Sequence, residues 1–156
     1  MLAPVANATY TRRGPVSRCW PGTREDVVGE LMRLVDEKGG HPICWLNGPA
    51  GSGKSAIVQT VAEILVRQER LIGNFFFLRG DADRSIIARL IPTLSHQLRQ
   101  TVPATTAPIQ LAIEREPYIR SQSLPYQFQE LVAEPIVLVH KRWLNKLTSK
   151  MWRKPE

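Results

Sequence analysis

The chain has 156 residues, 43% hydrophobic and 22% charged, the size and balance of one ordinary globular domain. Its two cysteines, Cys19 and Cys44, are too few for a disulfide framework or a structural metal site. The net charge of +7 is unevenly placed: six lysines and arginines stand against one acid from Lys141 to Glu156, so that tail carries +5 and the body is nearly neutral. This argues against a nucleic-acid-binding face spread over the domain. No apolar run is long enough to span a bilayer. Met1–Tyr10 lacks the basic start and long apolar stretch of a secretory leader, so a cytoplasmic location is expected.

Residues 1–20 mix small residues, prolines and arginines without periodicity and read as a poorly ordered lead-in. Pro21-Gly22 marks a turn. Thr23 is placed as a helix N-cap, with Asp26 as its capping-box partner. Val27, Val28, Leu31, Leu34 and Val35 then recur at helical spacing, which predicts a helix from Arg24 to about Lys38. Gly39-Gly40 ends it. Pro42–Asn47 is a short apolar run with the character of a buried strand, in which Cys44 is expected as a small core residue.

Gly48-Pro49-Ala50-Gly51-Ser52-Gly53-Lys54-Ser55 matches the phosphate-loop pattern G-x-x-x-x-G-K-[ST] at every fixed position. The glycines let the backbone curl so that successive N–H groups point at phosphate oxygens. Lys54 adds a mobile positive charge for the β- and γ-phosphates. Ser55 offers a hydroxyl to Mg²⁺, and the helix starting there turns its positive end to the anion. Ile57, Val61, Ile64 and Leu65 continue at helical spacing, so a helix over Ser55–Leu65 is predicted.

Leu71–Leu78 reads as a second buried strand. Arg79–Asp83 is a polar turn at its end, and Asp81 and Asp83 are read as capping the next helix rather than as metal ligands. A helix from Arg84 to about Thr101 is predicted, kinked or restarted at Pro92. A short helix over Ile109–Arg115 follows, then one from Ser123 to Glu134 stopped by Pro135. Ile136–Val139 is a candidate third strand. His41 and His96 have no partner at ligand spacing and are placed at the surface or core edge. In the tail, Trp143, Leu144, Leu147, Met151 and Trp152 stand at helical spacing among basic residues. That tail is read as helical or disordered, and a membrane role is not expected.

A family resemblance rests on several strings together: Cys19–Val27, Trp45–Ala56, Phe75–Phe77, Arg79–Ser85, Ile91–Leu94 and Gln97-Leu98. The series resembles the NACHT-type NTPase domain of fungal signalling proteins, also called the nephrocystin-3-like N-terminal domain, over about residues 5–135. The resemblance implies a signal-transducing P-loop ATPase or GTPase of the STAND class that switches between nucleotide states to control self-assembly. It also implies that Thr23 and Arg24, within Gly22–Glu25, lie near the nucleobase.

Such domains continue into an apolar strand ending in an Asp that holds Mg²⁺. Here Ile136–Val139 runs into His140, and imidazole is a poor ligand for a hard oxygen-seeking cation. Ile136–Val139 is either a degenerate form of that strand or unrelated sequence; because the family's spacer before the strand is missing, the chain is expected to stop following the family near Pro135, as a truncated or frameshifted product would.

The fold expected is α/β, an incomplete three-layer P-loop core with a parallel sheet over residues 21–139 and a basic tail over 140–156. The expected function is binding of ATP or GTP with Mg²⁺ through Gly48, Pro49, Ala50, Gly51, Ser52, Gly53, Lys54, Ser55 and Ala56, with Thr23 and Arg24 near the base. Ser55 is the metal ligand and no catalytic residue is assigned, so hydrolysis is weak or absent. The alternatives are a non-enzymatic fragment that pairs with NACHT relatives through an exposed sheet edge, and a small phosphotransferase with Arg79, Arg84 and Arg89 as lid candidates.

Overall fold

The computed structural model describes residues 4–12, 17–37 and 43–151, with side chains through Arg142. The Gly39-Gly40 helix stop, His41, Pro42 and Trp152 lie outside the described residues. The chain divides into two compact units, Thr9–Asn74 and a second made of Met1–Ala8 with Phe75–Glu156.

In the Thr9–Asn74 unit, α1 (Glu25–Asp36) and α2 (Lys54–Arg67) pack against each other. α1 carries Glu25 and Asp26 in its first turn and Arg33 in its last, the order that its dipole favours. Its apolar stripe is only half-buried. Arg70 joins the end of α1 to the segment after α2, pairing with Asp36 at 2.6 Å and donating to the Val35 carbonyl at 3.3 Å. The buried side chains of α2 are Ile57, Ala62 and one polar residue, Gln59.

The second unit is a helical bundle. It holds α3 (Leu90–Thr101), α4 (Thr106–Arg115), α5 (Leu124–Phe128), a π-turn over Gln129–Ala133 and α6 (Glu134–Met151). Ile91 and Leu98 of α3, Ile109 and Ala112 of α4, Ile119 and Leu131 form one buried cluster. The pairs within α3 and α4 are seven and three residues apart, which puts each pair on one face of its helix. Val5 and Ala8 are also buried in this unit. The Val5 N–H donates to Thr93 Oγ1 at 3.0 Å and the Phe76 N–H to the Ala8 carbonyl at 2.7 Å.

The expected α/β core with a parallel sheet is overturned: the protein is helical, and among the described residues there is no strand and no sheet. Both runs read as buried strands, Pro42–Asn47 and Leu71–Leu78, lack regular structure where described. Their apolar side chains are not buried as a sheet would bury them. Trp45 is 85% and Ile43 78% exposed, and Cys44, expected in the core, is exposed. A strand is stable only beside partners, and two short runs make at best a marginal pair. The third candidate, Ile136–Val139, is taken into α6. Four apolar residues are ambiguous between strand and helix, and no Gly or Pro interrupts the chain from Ile136 to Met151.

Local corrections follow the same physics. Pro135 does not stop the helix. The π-turn directly before it widens the backbone spacing, where a proline ring and its missing N–H are tolerated. Pro92 marks a restart: a 3₁₀ turn over Ile87–Arg89 precedes α3, which leaves Pro92 in a first turn. Thr23 is not the N-cap of α1. That position falls to Arg24, in a left-handed conformation (φ 60°), while Thr23 Oγ1 donates to the Trp20 carbonyl at 2.6 Å.

Leu131 is fully buried in the bundle and Leu138 is exposed on α6. Leu131→Ala is expected to cost about 2–5 kcal/mol, and Leu138→Ala to stay within about 0.5 kcal/mol of the parent. Urea unfolding followed by circular dichroism checks both; equal costs would contradict the packing described here.

Candidate functional site

The loop from Gly48 to Ser55 is a tight curl leading into α2. Asn47 Oδ1 accepts from the Gly48 N–H at 2.7 Å, which starts the turn, and the Ser52 N–H donates to the Pro49 carbonyl at 3.3 Å, which closes it. Gly51 and Gly53 sit at φ 78° and 85°, a region that side-chain-bearing residues rarely enter. A Cβ on Gly48 would lie 3.0 Å from Ser52 Oγ, so the bend leaves no room there unless Ser52 moves. Gly53 is the N-cap of α2, and its carbonyl accepts the first intrahelical bond, from the Ile57 N–H at 3.0 Å. The amides of Lys54, Ser55 and Ala56 precede that bond and have no intrahelical acceptor. Ser55 itself is exposed.

Lys54 turns back over the loop. Its ammonium donates to the Gly48 carbonyl at 2.7 Å and the Pro49 carbonyl at 2.8 Å. Arg24 reaches the loop from the start of α1, with Nη2 at 3.4 Å from the Ser52 carbonyl. Beside it lies a cavity of about 310 Å³, lined by Cys19, Trp20, Gly22, Thr23, Val28 and Thr60 among others. The structure thus brings Arg24 to the Gly48–Ser55 loop and Thr23 to the wall of this cavity, within one unit.

Sequence reasoning missed three contributors. Asn47 was visible only as a polar residue ending an apolar run. Cys19 donates its N–H to Thr60 Oγ1 at 3.1 Å, which ties the cavity's rim to α2. Gln59 is fully buried and donates to the Tyr10 carbonyl at 3.0 Å and to Glu63 Oε1 at 2.7 Å, while accepting from Arg12 Nη1 at 2.6 Å. A glutamine beside the apolar stripe of α2 was the available signal for it.

Asp81 and Asp83, read as capping acids, hold their own turn. Asp81 accepts from the Asp83 and Arg84 amides at 3.0 and 2.8 Å and from Arg84 Nε at 3.1 Å, and Asp83 pairs with Arg89 at 3.2 Å. The Arg84 and Asp83 amides are the main reason the Asp81 carboxyl lies below its ordinary range. His96 is half-buried on α3. His140, the residue found where an acid was wanted, is an exposed position of α6. Among the described residues no group of three or more His, Cys, Asp or Glu could hold a metal ion, and no helix is long and apolar enough to cross a membrane.

The model of the family described as nephrocystin 3, N-terminal, matches residues 26–145. The chain belongs to the nephrocystin-3 N-terminal family. The match takes in nearly all of α1, the Gly48–Ser55 loop, the bundle and the first part of α6, so it runs past Pro135, where the chain was expected to stop following the family. No curated protein and no solved structure matches this nephrocystin-3-type chain.

Glu63 gives the loop unit a defined acid response. Burial raises its carboxyl, but hydrogen bonds from Gln59 and Arg18 and the charges of Arg18 and Arg67 outweigh that, and it ends below the ordinary range. A depressed carboxylate contributes stability that is whole above its unfolded pKa of about 4.3 and is lost as pH falls through the lower folded value. Urea midpoints at pH 7 and about pH 3 are expected to separate further in the parent than in Glu63→Gln. Equal losses in both proteins would contradict this role for Glu63.

Proposed function

We propose that Gly48–Ser55 binds the phosphates of ATP or GTP together with Mg²⁺, within a NACHT-like signalling module. The observation that carries this reading is the curled backbone. Two left-handed glycines and a helix start leave the Lys54, Ser55 and Ala56 amides without intrahelical acceptors, and the Lys54 ammonium lies on the Gly48 and Pro49 carbonyls of the same loop. That is the donor set a chain of phosphates calls for. On nucleotide binding, Lys54 exchanges the Gly48 and Pro49 carbonyls for β- and γ-phosphate oxygens. Ser55 presents its hydroxyl to Mg²⁺. The 310 Å³ cavity beside Thr23 and Arg24 takes the base, with the largely exposed Trp20 ring available to stack on it. The strand expected to lead into the loop is absent among the described residues, so the reading is carried by the loop and the helix start alone.

Hydrolysis is weak or absent in this proposal, because Ser55 is the one side-chain oxygen that the loop pattern gives the metal and His140 replaces the acid that the resemblance calls for. Calorimetric titration of ATP·Mg²⁺ and GTP·Mg²⁺ into the full chain is expected to show saturable binding that weakens at least tenfold in Lys54→Ala. No heat from either nucleotide would overturn the binding. Phosphate release that disappears in Lys54→Ala would overturn the claim about hydrolysis.

A second reading is favoured by one specific observation. Trp20, Ile43 and Trp45 of the loop unit are each more than three-quarters exposed, and large exposed apolar groups mark association surfaces. In that reading the chain is a non-enzymatic fragment that pairs with NACHT relatives or with itself. Size-exclusion chromatography with a full-length relative is expected to give a larger complex, which Trp45→Ser weakens. Independent elution at all concentrations would exclude it.

A further inference from the structure

α6 runs for 18 residues, about 27 Å, and its surface is not explained by the bundle. Pro135 is fully buried and Val139 half-buried, so these two positions mark its inward side. The three residues between them, Ile136, Val137 and Leu138, are each 40 to 44% exposed. Consecutive helical residues are about 100° apart, so this exposed apolar surface covers about 200° of the helix circumference. Lys141 and Arg142 follow, both exposed. Further along the helical register, apolar residues occupy positions 143, 144, 147 and 151 and lysines occupy 146 and 150. From Lys141 to the end of the chain there are six basic residues and one acid.

We propose that α6 is a docking helix for an acidic protein with an apolar groove. The charge fixes the sign of the partner: a helix this basic is repelled by a basic surface and steered to an acidic one. The distribution of apolar surface fixes its shape. A flat anionic bilayer takes up one side of an amphipathic helix. Here the apolar surface continues through Ile136, Val137 and Leu138 around more than half of the helix, and a groove with walls covers what a plane leaves wet. Burying three side chains of this size supplies enough apolar area for a defined contact, and the exposed Lys141 and Arg142 set the orientation.

Calcium-loaded calmodulin, an acidic protein with a Met-rich groove, is the probe for this chemistry. It is titrated into the full chain by calorimetry, alongside vesicles of 30% phosphatidylserine in phosphatidylcholine. Saturable binding to calmodulin is expected, lost when calcium is chelated and weakened at least tenfold by the double variant Lys141→Glu, Arg142→Glu. Leu138→Asp, at an exposed position, is expected to weaken calmodulin binding at least fivefold while the helical circular-dichroism signal is unchanged. Absence of calmodulin binding, binding indifferent to these variants, or binding to the vesicles alone would each overturn the proposal.

Discussion

The contact on which the loop depends is that between the Lys54 ammonium and the carbonyls of Gly48 and Pro49. A curl that points its amides toward one side must point some carbonyls elsewhere, and those carbonyls need a partner. Lys54 supplies it from the first turn of the helix that the curl begins. Hydrogen bonds to a charged group are worth about 1.5–3 kcal/mol each, so an anion that recruits Lys54 must replace two of them. A single oxygen does not. A chain of phosphates, which meets several amides and the ammonium together, can. In the proposed function the same contact holds the loop in shape and favours polyphosphates over simple anions.

Around that loop the Thr9–Asn74 unit is held as much by polar as by apolar groups. Gln59 sits fully buried with bonds to Arg12, Glu63 and the Tyr10 backbone, and Arg18 closes on Glu63 at 2.8 Å. Such a network works only when every member is satisfied. It locks α2 to the segment before α1, and α2 is the element whose first turn forms the site. The bundle is organised differently, with six buried apolar side chains in one cluster. Its basic α6 adds a surface whose charge and shape suit a partner rather than a core.

How much of this was legible depended on whether a feature is local. The helices were legible because spacing decides them: Val27 to Val35, Ile57 to Leu65 and Leu90 to Leu98 each lie on one face. The loop's glycines were legible because only glycine readily takes the φ values found at positions 51 and 53. The sheet was misread because strands are not local. Ile43, Trp45 and Phe77 have the right side chains for strands, but only a neighbouring strand makes a run into one, and none stands beside them among the described residues. Ile136–Val139 went the other way for the same reason, since the residues after it continue a helix. The Gln59 network and the cavity beside Thr23 join residues about forty or more positions apart, which spacing within one element does not reveal. The family match supports the reading of the chain as a nephrocystin-3 N-terminal domain.

The most direct test is residue-resolved. With the backbone amides assigned by NMR, ATP·Mg²⁺ is titrated into the chain and the amide shifts are followed. Phosphate capture by this loop predicts that Gly51, Gly53, Lys54, Ser55 and Ala56 move most and saturate together, with inorganic phosphate producing far smaller changes. Shifts centred elsewhere, or equal shifts from inorganic phosphate, would contradict it.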